Sequence, residues 1–441
     1  MKRLVGMTLV LAGVAGGLVL LSAAFYLLAG WLGSVAVGWG LPQTFGTGVA
    51  SAVTLLLVVT MGSGSLLTVA ERKWSAMMQN RIGANRIRVF GAALGGIPFL
   101  LADAIKMLTK ERVEPALRTR FLFEVGPFMA FAPVFALFAV IPVGPPVSLA
   151  GLFSGVRDVA LQVVSLDVGV LYLFALGSLQ VYGTSLAGWA SNNKLALLGG
   201  VRATSQMISY EVSLGLSLVG MMIAFQTLRL EELVVRQGDA VLGGFPALGL
   251  LLQPIGFLVF FTSSFAETKR APFDLPEGES EIVGFFVEYS GMQWGLMFLS
   301  EFVEIVVLAG ITATIFLGGW HPILFEGWLK ANLSPFAFAA VCAGAFIVKM
   351  IFLMWLQLVI RWLLPRFRYD QVQKLCWKIL LPTSLANIFV TAAAVLIDPS
   401  LQLLSWIGVG VIAVIVALTV WSSSAPAPAA DHGHAHASAG H

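Results

Sequence analysis

Charged residues are scarce in this sequence, and their scarcity excludes a soluble globular domain. Asp, Glu, Lys and Arg make up 11% of the 441 residues, whereas a soluble domain carries about 25%. Cysteine and histidine are scarcer still, because Cys342 and Cys376 are the two cysteines and His321 is the one histidine outside the C-terminal tail. The usual iron–sulfur cluster takes more thiolates than this chain has, and a lone histidine disfavours a histidine-ligated haem. We therefore expect no metal site and no redox centre in this chain. The net charge of +3 gives no indication of nucleic acid.

Long apolar runs are what the sequence has in abundance. A helix needs about 20 apolar residues to cross the hydrocarbon core of a membrane. Runs of this kind predict ten spans, at 4–32, 48–70, 121–141, 169–190, 205–226, 247–266, 290–318, 336–360, 375–397 and 403–421. Gly62-Ser-Gly64 lies inside a span, without the strand and helix that flank a nucleotide loop, and indicates helix packing. The predicted fold class is all-α, a polytopic transmembrane helix bundle.

The positive charges give the orientation of the bundle. If Lys2 and Arg3 are cytoplasmic, 21 of the 26 Lys and Arg residues fall on the cytoplasmic side and four on the other. Cytoplasmic loops carry this excess in membrane proteins, so both termini are predicted to be cytoplasmic, in a bacterial inner membrane. The first run also fits a signal peptide, with small residues at Ser22-Ala23-Ala24. We expect it to be retained, because its removal leaves the 48–70 span without an orientation signal.

Two segments outside the spans have distinctive compositions. Residues 71–120 alternate apolar and basic side chains, which predicts amphipathic helices lying in the membrane interface. This segment is either a membrane-surface anchor or the lip of a site for an amphiphilic ligand. Residues 422–441 are rich in Ala and His and predict a disordered tail.

Several ionisable residues lie where lipid makes charge costly. A charge deep in a span is expensive unless it faces a cavity or a partner, so such residues are candidates for function. Glu211, Glu301, Glu304 and Lys349 lie within predicted spans. Glu288 precedes a span, and Glu124 enters one early. We expect Glu124 to pair with Arg118 or Arg120; the alternative is that it adds an acid to a proton path.

Acidic residues are concentrated between Glu267 and Glu304, a segment that holds eight of the 23 Asp and Glu residues. Its loop contains Glu267, Lys269, Arg270, Asp274, Glu277, Glu279 and Glu281. Pro272 and Pro276 prevent a continuous helix, so we expect a shaped loop. The loop acids are either solvated or functional. Buried acids in series exchange protons with one another, so the pattern favours proton transfer without naming the reaction that drives it.

Several stretches together resemble one family. They are Ala70-Glu-Arg-Lys73, Met78-Gln-Asn-Arg-Ile-Gly-Ala-Asn-Arg86, Leu101-Ala-Asp-Ala-Ile-Lys-Met-Leu-Thr-Lys-Glu111, Leu186-Ala-Gly-Trp-Ala-Ser-Asn-Asn193, Leu198-Gly-Gly-Val-Arg202, Gln206-Met-Ile-Ser-Tyr-Glu211, Ala266-Glu-Thr-Lys-Arg-Ala-Pro-Phe-Asp-Leu-Pro-Glu277, Glu288-Tyr-Ser-Gly-Met292 and Leu364-Pro-Arg-Phe-Arg-Tyr-Asp-Gln371. Residues 45–397 are similar to the quinone-chamber membrane subunit of respiratory complex I, the NADH–quinone oxidoreductase of bacteria and mitochondria. The mitochondrial member of this family is NADH dehydrogenase subunit 1.

The resemblance implies eight family spans in 45–397, with an extra span in 1–44, another in 398–421, and the tail at 422–441. It implies a chamber for quinone, the substrate, with flavin and iron–sulfur clusters on partner subunits only. The partners are peripheral-arm quinone-site subunits, antiporter-like membrane subunits and lipid. The implied proton relay comprises Glu211, Glu267, Glu277, Glu279, Glu281, Glu288, Glu301 and Glu304. The residues implied to shape the chamber and its subunit contacts are Arg72, Arg86, Asp103, Arg202, Arg270 and Asp274.

The sequence departs from the family pattern at several places, one of which is Glu124, where an uncharged residue is expected. Ala84 stands where the family commonly has proline, and the stretch from Gly91 to Asp103 is longer than usual. Three functions compete for the chain. The first is a quinone-chamber and proton-relay subunit of a proton-pumping NADH:quinone oxidoreductase, the second is the homologous subunit of a membrane-bound hydrogenase, and the third is a passive anchor. The complete Ala271-Pro-Phe-Asp-Leu-Pro-Glu277 string favours the first.

Overall fold

The structure, a computed structural model, describes residues 2–87, 94–153, 156, 158–242, 245–276, 284–323 and 326–424. In this part of the chain, nine helices are long and apolar enough to cross a membrane, and a tenth apolar helix is shorter. The long helices are α1 (Lys2–Gly38), α2 (Gln43–Met78), α4 (Arg120–Val140), α5 (Gly169–Ala190), α6 (Lys194–Phe225), α10 (Gly291–Phe316), α12 (Pro335–Leu363), α13 (Tyr369–Ile397) and α14 (Gln402–Ser424). The polytopic helical bundle predicted from the sequence is confirmed.

The remaining elements are short and connect the long helices. They are α3 (Pro98–Thr109), α7 (Leu230–Gln237), α8 (Gly249–Leu252), α9 (Pro254–Glu267) and α11 (Glu326–Asn332). Two small antiparallel hairpins join β1 (Gly144–Ser148) to β2 (Asp158–Leu161) and β3 (Ala240–Leu242) to β4 (Phe245–Pro246). Gly144 pairs with Leu161 and Ser148 with Asp158 in the first hairpin. Both hairpins lie in connections between helices, and the first adds Val147, Val159 and Leu161 to the main hydrophobic core.

Helix α10 is the centre of the bundle. Every residue from Ser300 to Phe316 is buried, and the helix packs against α2, α4 and α12. Its side chains are apolar around nearly the whole circumference, which is typical of a helix enclosed on all sides. Gly64 of α2 lets the two backbones approach, since a β-carbon there would lie 3.4 Å from the backbone nitrogen of Val303. The prediction that Gly62-Ser-Gly64 serves helix packing is confirmed at Gly64, whereas a β-carbon at Gly62 would meet only Leu57 of its own helix.

The predicted span 247–266 is interrupted. Helix α8 ends at Leu252, and α9 begins at Pro254, with Gln253 between them at φ −136° and ψ 59°. Pro254 cannot donate a backbone hydrogen bond, so the helix breaks before it. The Gln253 amide bridges the break to α13, donating to Thr391 Oγ1 at 2.5 Å and accepting from Asn387 Nδ2 at 2.5 Å. The polar backbone of the interruption is thus enclosed by protein, as it must be at membrane depth.

Segment 71–120 differs in part from its prediction. Its first residues extend α2 to Met78, and one amphipathic helix, α3, follows, with Leu101, Ile105 and Leu108 exposed along one side. Ala84 has φ +48°, a value that a proline ring, fixed near −65°, cannot adopt. The loop at the Ala84 departure therefore takes a path that the family's usual proline excludes. Residues 88–93, which include part of the longer stretch, lie outside the described residues.

The predicted partner of Glu124 is wrong. Glu124 faces Arg112, with Oε1 3.4 Å from Nη2, and its side chain is 52% exposed. Arg118 instead pairs with Glu114, because a turn whose backbone bond joins Arg118 N to Pro115 O brings the two together. The predicted partners are the arginines nearest to Glu124 in sequence. The structure instead supplies Arg112, and Arg118 is already paired with Glu114.

Lys349, a candidate for function because of its depth, closes the C-terminal end of α10. Its Nζ donates to the backbone oxygens of Leu317 at 2.6 Å, Gly319 at 2.9 Å and His321 at 2.7 Å. The last carbonyls of a helix have no partner within it and form the negative end of its dipole. The ammonium group satisfies the carbonyls that follow α10 and fixes the end of the central helix.

Replacing Lys349 with methionine is expected to destabilise the protein by about 3 kcal/mol or more, because each buried carbonyl left without a donor costs about 1–3 kcal/mol. The midpoint of thermal unfolding in detergent measures the change. Lys330→Met is the matched control, since Lys330 is exposed on α11 and its replacement should leave the midpoint unchanged. Equal midpoints for the two variants would contradict the structural role of Lys349.

Candidate functional site

The turn after α9 aims two basic side chains into the protein. Helix α9 ends at Glu267, and Lys269 then adopts φ +56°, the left-handed conformation. A residue other than glycine is held there at a cost of about 1–3 kcal/mol. The turn buries both Lys269 and Arg270, whose side chains are 1% and 8% exposed. The backbone strain thus accompanies the placement of two cations beside the acids of α10.

The described part of the following loop is held against α6 and against the connection between α12 and α13. Gln206 donates its side-chain amide to the backbone oxygens of Ala266 at 2.6 Å and Phe273 at 3.0 Å. The Phe273 ring lies 5.7 Å from that of Tyr210, and Asp274 forms an ion pair with Arg366. The loop through Pro276 is therefore shaped and docked. Glu277, Glu279 and Glu281 lie outside the described residues.

Glu71 is the meeting point of two arginines. Its Oε2 lies 2.5 Å from Arg270 Nη1, and its Oε1 binds Arg361. The Arg270 guanidinium lies 3.7 Å from the centre of the Phe302 ring, and its Nε lies 3.8 Å from Glu301 Oε2. Arginine suits this position because its planar group forks between carboxylates and stacks on an aromatic face. Glu71, Arg270 and Glu301 form a continuous charged series from α2 to α10.

Glu304 lies one turn further along α10 and has partners of its own. Its Oε2 accepts from Gln180 Nε2 at 2.7 Å and lies 3.8 Å from Lys269 Nζ. Its Oε1 is buried and has no hydrogen-bond partner among the described residues. Glu301 and Glu304 share one face of the helix, as their spacing predicted, but different cations serve them. Lys269 and Arg270 are adjacent in one turn, and Lys269 faces Glu304 while Arg270 faces Glu301.

A small cavity joins Glu267 to Glu211. It has a volume of about 30 Å³ and is otherwise lined by apolar side chains such as Leu218, Phe260 and Leu308. We name it the inner cavity. Glu211 contacts Ser178 Oγ, and Glu267 lies within electrostatic range of both Glu211 and Glu304. A cavity needs about 10–15 Å³ to hold a water, so the inner cavity has room for at least one water between the two carboxylates.

Two adjoining cavities open beside α3. The polar cavity, of about 470 Å³, is lined by Arg72, Asp103, Lys106, Met107, Lys110, Phe286, Val287, Tyr289, Ser290, Gly291, Trp294 and Phe298. The apolar cavity, of about 220 Å³, is lined by Met61, Ser65, Thr68, Leu100, Asp103, Ala104, Met107, Leu108, Met292, Gly295, Leu296, Phe298 and Leu299. They share Asp103, Met107 and Phe298. Their arrangement, charged at one end and apolar at the other, suits an amphiphilic molecule.

Two groups fix the wall of the polar cavity. Arg72 Nη2 lies 2.7 Å from Asp103 Oδ2 and ties α2 to α3. Tyr289 stacks on Phe123, with ring centres 4.0 Å apart, and burial raises the pKa of its phenol above the ordinary value. Its hydroxyl donates to the Ala187 carbonyl at 3.5 Å, which ties the segment before α10 to α5.

A larger cavity, of about 1050 Å³, lies on the other side of Arg72. Its lining is Glu71, Arg72, Ser75, Arg81, Ile82, Gly83, Ala84, Asn85, Arg86, Ile87, Phe99, Arg361 and Trp362. We name it the arginine cavity, because four of these residues are arginines. Glu71 reaches it directly, so the charged series that ends at the α10 acids begins at its wall.

Two predicted residues lie outside the charged series. Glu288 accepts a hydrogen bond of 2.6 Å from Asn193 Nδ2, which ties the segment before α10 to the turn before α6. Arg202 lies over the Tyr369 ring at 5.9 Å, between α6 and the start of α13. The structure brings together Glu211, Glu267, Glu301, Glu304 and Arg270, and it places Arg72, Arg86 and Asp103 around the cavities beside α2 and α3.

Sequence reasoning missed four members of the site: Glu71, Arg361, Lys269 and Gln180. Glu71 lies within the Ala70-Glu-Arg-Lys73 motif. Two signals could have identified it, namely its apolar neighbour Ala70 and its position at the end of the predicted span 48–70. Arg361 and Gln180 carry no local signal, because their partners are distant in sequence. Only the packing of α2 and α12 against α10, together with the hydrogen bond from Gln180 of α5 to Glu304, brings them to the acids.

Comparison with known proteins identifies the family. The family model described as NADH dehydrogenase matches residues 50–392. The NADH-quinone oxidoreductase subunit of Geobacter sulfurreducens that is designated H 2 is 43% identical over 340 residues, which cover 77% of this chain and 94% of that protein. The NADH-quinone oxidoreductase subunit of Cytophaga hutchinsonii that is designated H 1 is 38% identical over 350 residues, covering 79% of this chain and 96% of that protein. The chain therefore belongs to the NADH dehydrogenase family of membrane proteins.

Proposed function

We propose that this chain is the membrane subunit of a proton-pumping NADH:quinone oxidoreductase that walls the quinone chamber and begins the intramembrane acid relay. The observation that carries the proposal is the series of ionisable groups from Glu71, at the arginine cavity, to Glu211, joined by ion pairs at its start and by electrostatic proximity at its end. It passes through Arg270 and the two acids of α10 and ends at the inner cavity. The names of the relatives support the enzyme and its multi-subunit composition.

The chamber is assigned to the cavities beside α2 and α3. A quinone has a polar head and a long apolar tail, and the polar and apolar cavities provide an environment for each. Arg72, Arg86 and Asp103 line the chamber, while Arg202, Arg270 and Asp274 fix its inner wall and its contacts with peripheral-arm subunits. Quinone is the substrate, and the flavin and iron–sulfur clusters belong to those partner subunits. Glu277, Glu279, Glu281 and Glu288 are proposed as the entrance to the relay.

The relay depends on groups that exchange protons over short distances. Glu301 and Glu304 each face a buried cation, and Glu267 stands between Glu304 and Glu211. A change of charge near the quinone would alter the electrostatic interactions among Glu71, Arg270 and Glu301. The protonation of Glu304, Glu267 and Glu211 would then change in turn. Antiporter-like membrane subunits would receive the signal. The hydrogenase alternative is disfavoured because the relatives are named for quinone reduction.

The chain is proposed to lie in the bacterial inner membrane, with both termini cytoplasmic. The functional domain is residues 45–397, and α1 and α14 supply additional spans at its two ends. In the described part of the chain, α1 is anchored by Tyr26, whose hydroxyl donates to the Pro145 carbonyl at 2.7 Å. Helix α14 packs over the break before Pro254, where a β-carbon at Gly408 would clash with the Leu251 backbone oxygen.

Replacement of Glu301 by glutamine tests the proposal. Glutamine keeps the shape of the side chain but does not exchange a proton, so proton pumping in reconstituted vesicles is expected to fall by about 100-fold. Pumping is followed with a pH-sensitive dye beside the rate of NADH oxidation. Glu231→Gln, on α7, is the control and should pump normally. Unchanged quinone reduction and pumping in Glu301→Gln would instead favour a passive anchor.

A further inference from the structure

A separate groove lies along the last turns of α2, beyond the chamber. It has a volume of about 500 Å³ and includes Lys73, Trp74, Met77, Arg81 and Ile82 in its lining. We name it the lateral groove. It shares Arg81, Ile82 and Gly83 with the arginine cavity but contains none of the residues that line the polar cavity. The lateral groove and the arginine cavity therefore lie on two sides of the turn after α2.

The cations of the lateral groove lack counter-ions. Within the described part of the chain, no carboxylate lies within ion-pair distance of Lys73 or Arg81, and the Arg81 Nε donates to the neutral Gln79 side chain at 2.6 Å. The Trp74 indole nitrogen is buried and has no hydrogen-bond partner among the described residues. The groove thus offers two positive charges from separate turns and one unsatisfied donor in its wall.

The flank of the groove is apolar and open. Met77 is 61% exposed and Ile82 is 81% exposed, on either side of the basic residues. Trp74 packs edge-on against Trp355, with ring centres 5.6 Å apart. Tryptophan is enriched at the headgroup level of membranes, and the Lys and Arg distribution places this end of α2 on the cytoplasmic side. The groove therefore lies where anionic headgroups are available.

We propose that the lateral groove binds an anionic phospholipid, with its phosphate between Lys73 and Arg81 and its acyl chains along Met77 and Ile82. An isolated anion would leave the exposed apolar flank unused, and a neutral quinone would leave the two cations without a counter-ion. A phospholipid satisfies both requirements at once. The bound lipid would fix residues 81–87 after α2, which line the arginine cavity.

The test uses the intact complex, delipidated in detergent and supplied with a photoreactive phosphatidylglycerol analogue. Crosslinks mapped by mass spectrometry are expected in residues 74–87 of the wild type, and a phosphatidylcholine analogue should label that segment weakly. Lys73→Gln is expected to weaken phosphatidylglycerol labelling about fivefold, the effect of one charge at a membrane surface. Lys73→Arg should retain the labelling. Lys374→Gln, which removes a lysine already paired with Asp370, is the matched control.

Three outcomes would overturn the proposal. They are equal labelling of the wild type and Lys73→Gln, equal labelling by the two lipids, and loss of labelling when millimolar inorganic phosphate is added. The last outcome would show a site for free phosphate. NADH oxidation with a water-soluble quinone is measured in the same preparations, and it tests the proposed function independently. A normal rate in Lys73→Gln together with lost labelling supports a lipid site distinct from the chamber.

Discussion

Arg270→Met is expected to destabilise the protein by about 3–5 kcal/mol, the effect of removing one partner from a buried ion pair. Glu71 and Glu301 are 14% and 5% exposed, and both face this guanidinium. Without it, Glu301 loses a buried cation and Phe302 loses the group stacked on its ring. Little assembled complex should remain in the membrane, and NADH:quinone activity should fall in proportion. The amount of complex on a native gel and its thermal midpoint measure the effect.

Two further variants separate the pairing from general disruption. Arg361→Met removes the other arginine of Glu71, but Arg361 is 26% exposed, so its loss should cost about 1 kcal/mol or less. The double variant Arg270→Met with Glu301→Gln removes the uncompensated acid and should recover part of the lost stability. If the two arginine variants lose equal stability, or if the double variant recovers none, Arg270 is not the centre of the series.

The spans were predictable from the sequence because lipid imposes a simple rule. A run of about 20 apolar residues without charge has few alternatives to a membrane helix, and the nine long helices follow the predicted runs closely. The order of packing was not predictable. A helix facing lipid and one facing other helices are equally apolar, so nothing in the run 290–318 showed that α10 would be central and α14 peripheral.

The acids of the site were found because charge within a span is costly, but their partners were not. Glu211, Glu301 and Glu304 are conspicuous because they are charged residues within apolar runs. Gln180 and Arg361 have no such signal, and only the folded structure shows that they contact the acids. Depth alone also misled in one case. Lys349 satisfied the same criterion as the glutamates, yet its ammonium group binds three backbone oxygens and serves the fold. The position of a charged residue deep in a span indicates that it has some role. Its contacts show whether that role is structural or functional.

Glu267→Gln is expected to lower proton pumping by about 100-fold while the protein remains folded, because glutamine fills the same volume without exchanging a proton. Glu267 stands between Glu304 and Glu211, and the inner cavity lies between it and Glu211. A transfer from Glu267 to Glu211 would pass through water in the inner cavity, which has room for at least one molecule. Pumping per NADH oxidised, measured in vesicles, is the readout, and an intact thermal midpoint shows that the fold is kept.

Filling the inner cavity tests the water without altering any acid. Leu218 lines the cavity, and Leu218→Phe should exclude the water and lower pumping, whereas Leu218→Met conserves volume and should not. Both variants keep Glu211 and Glu267, so a difference between them reports the space between the carboxylates. If Leu218→Phe pumps normally while Glu267→Gln does not, protons reach Glu211 by direct contact of the side chains. If both pump normally, the relay does not pass through this pair.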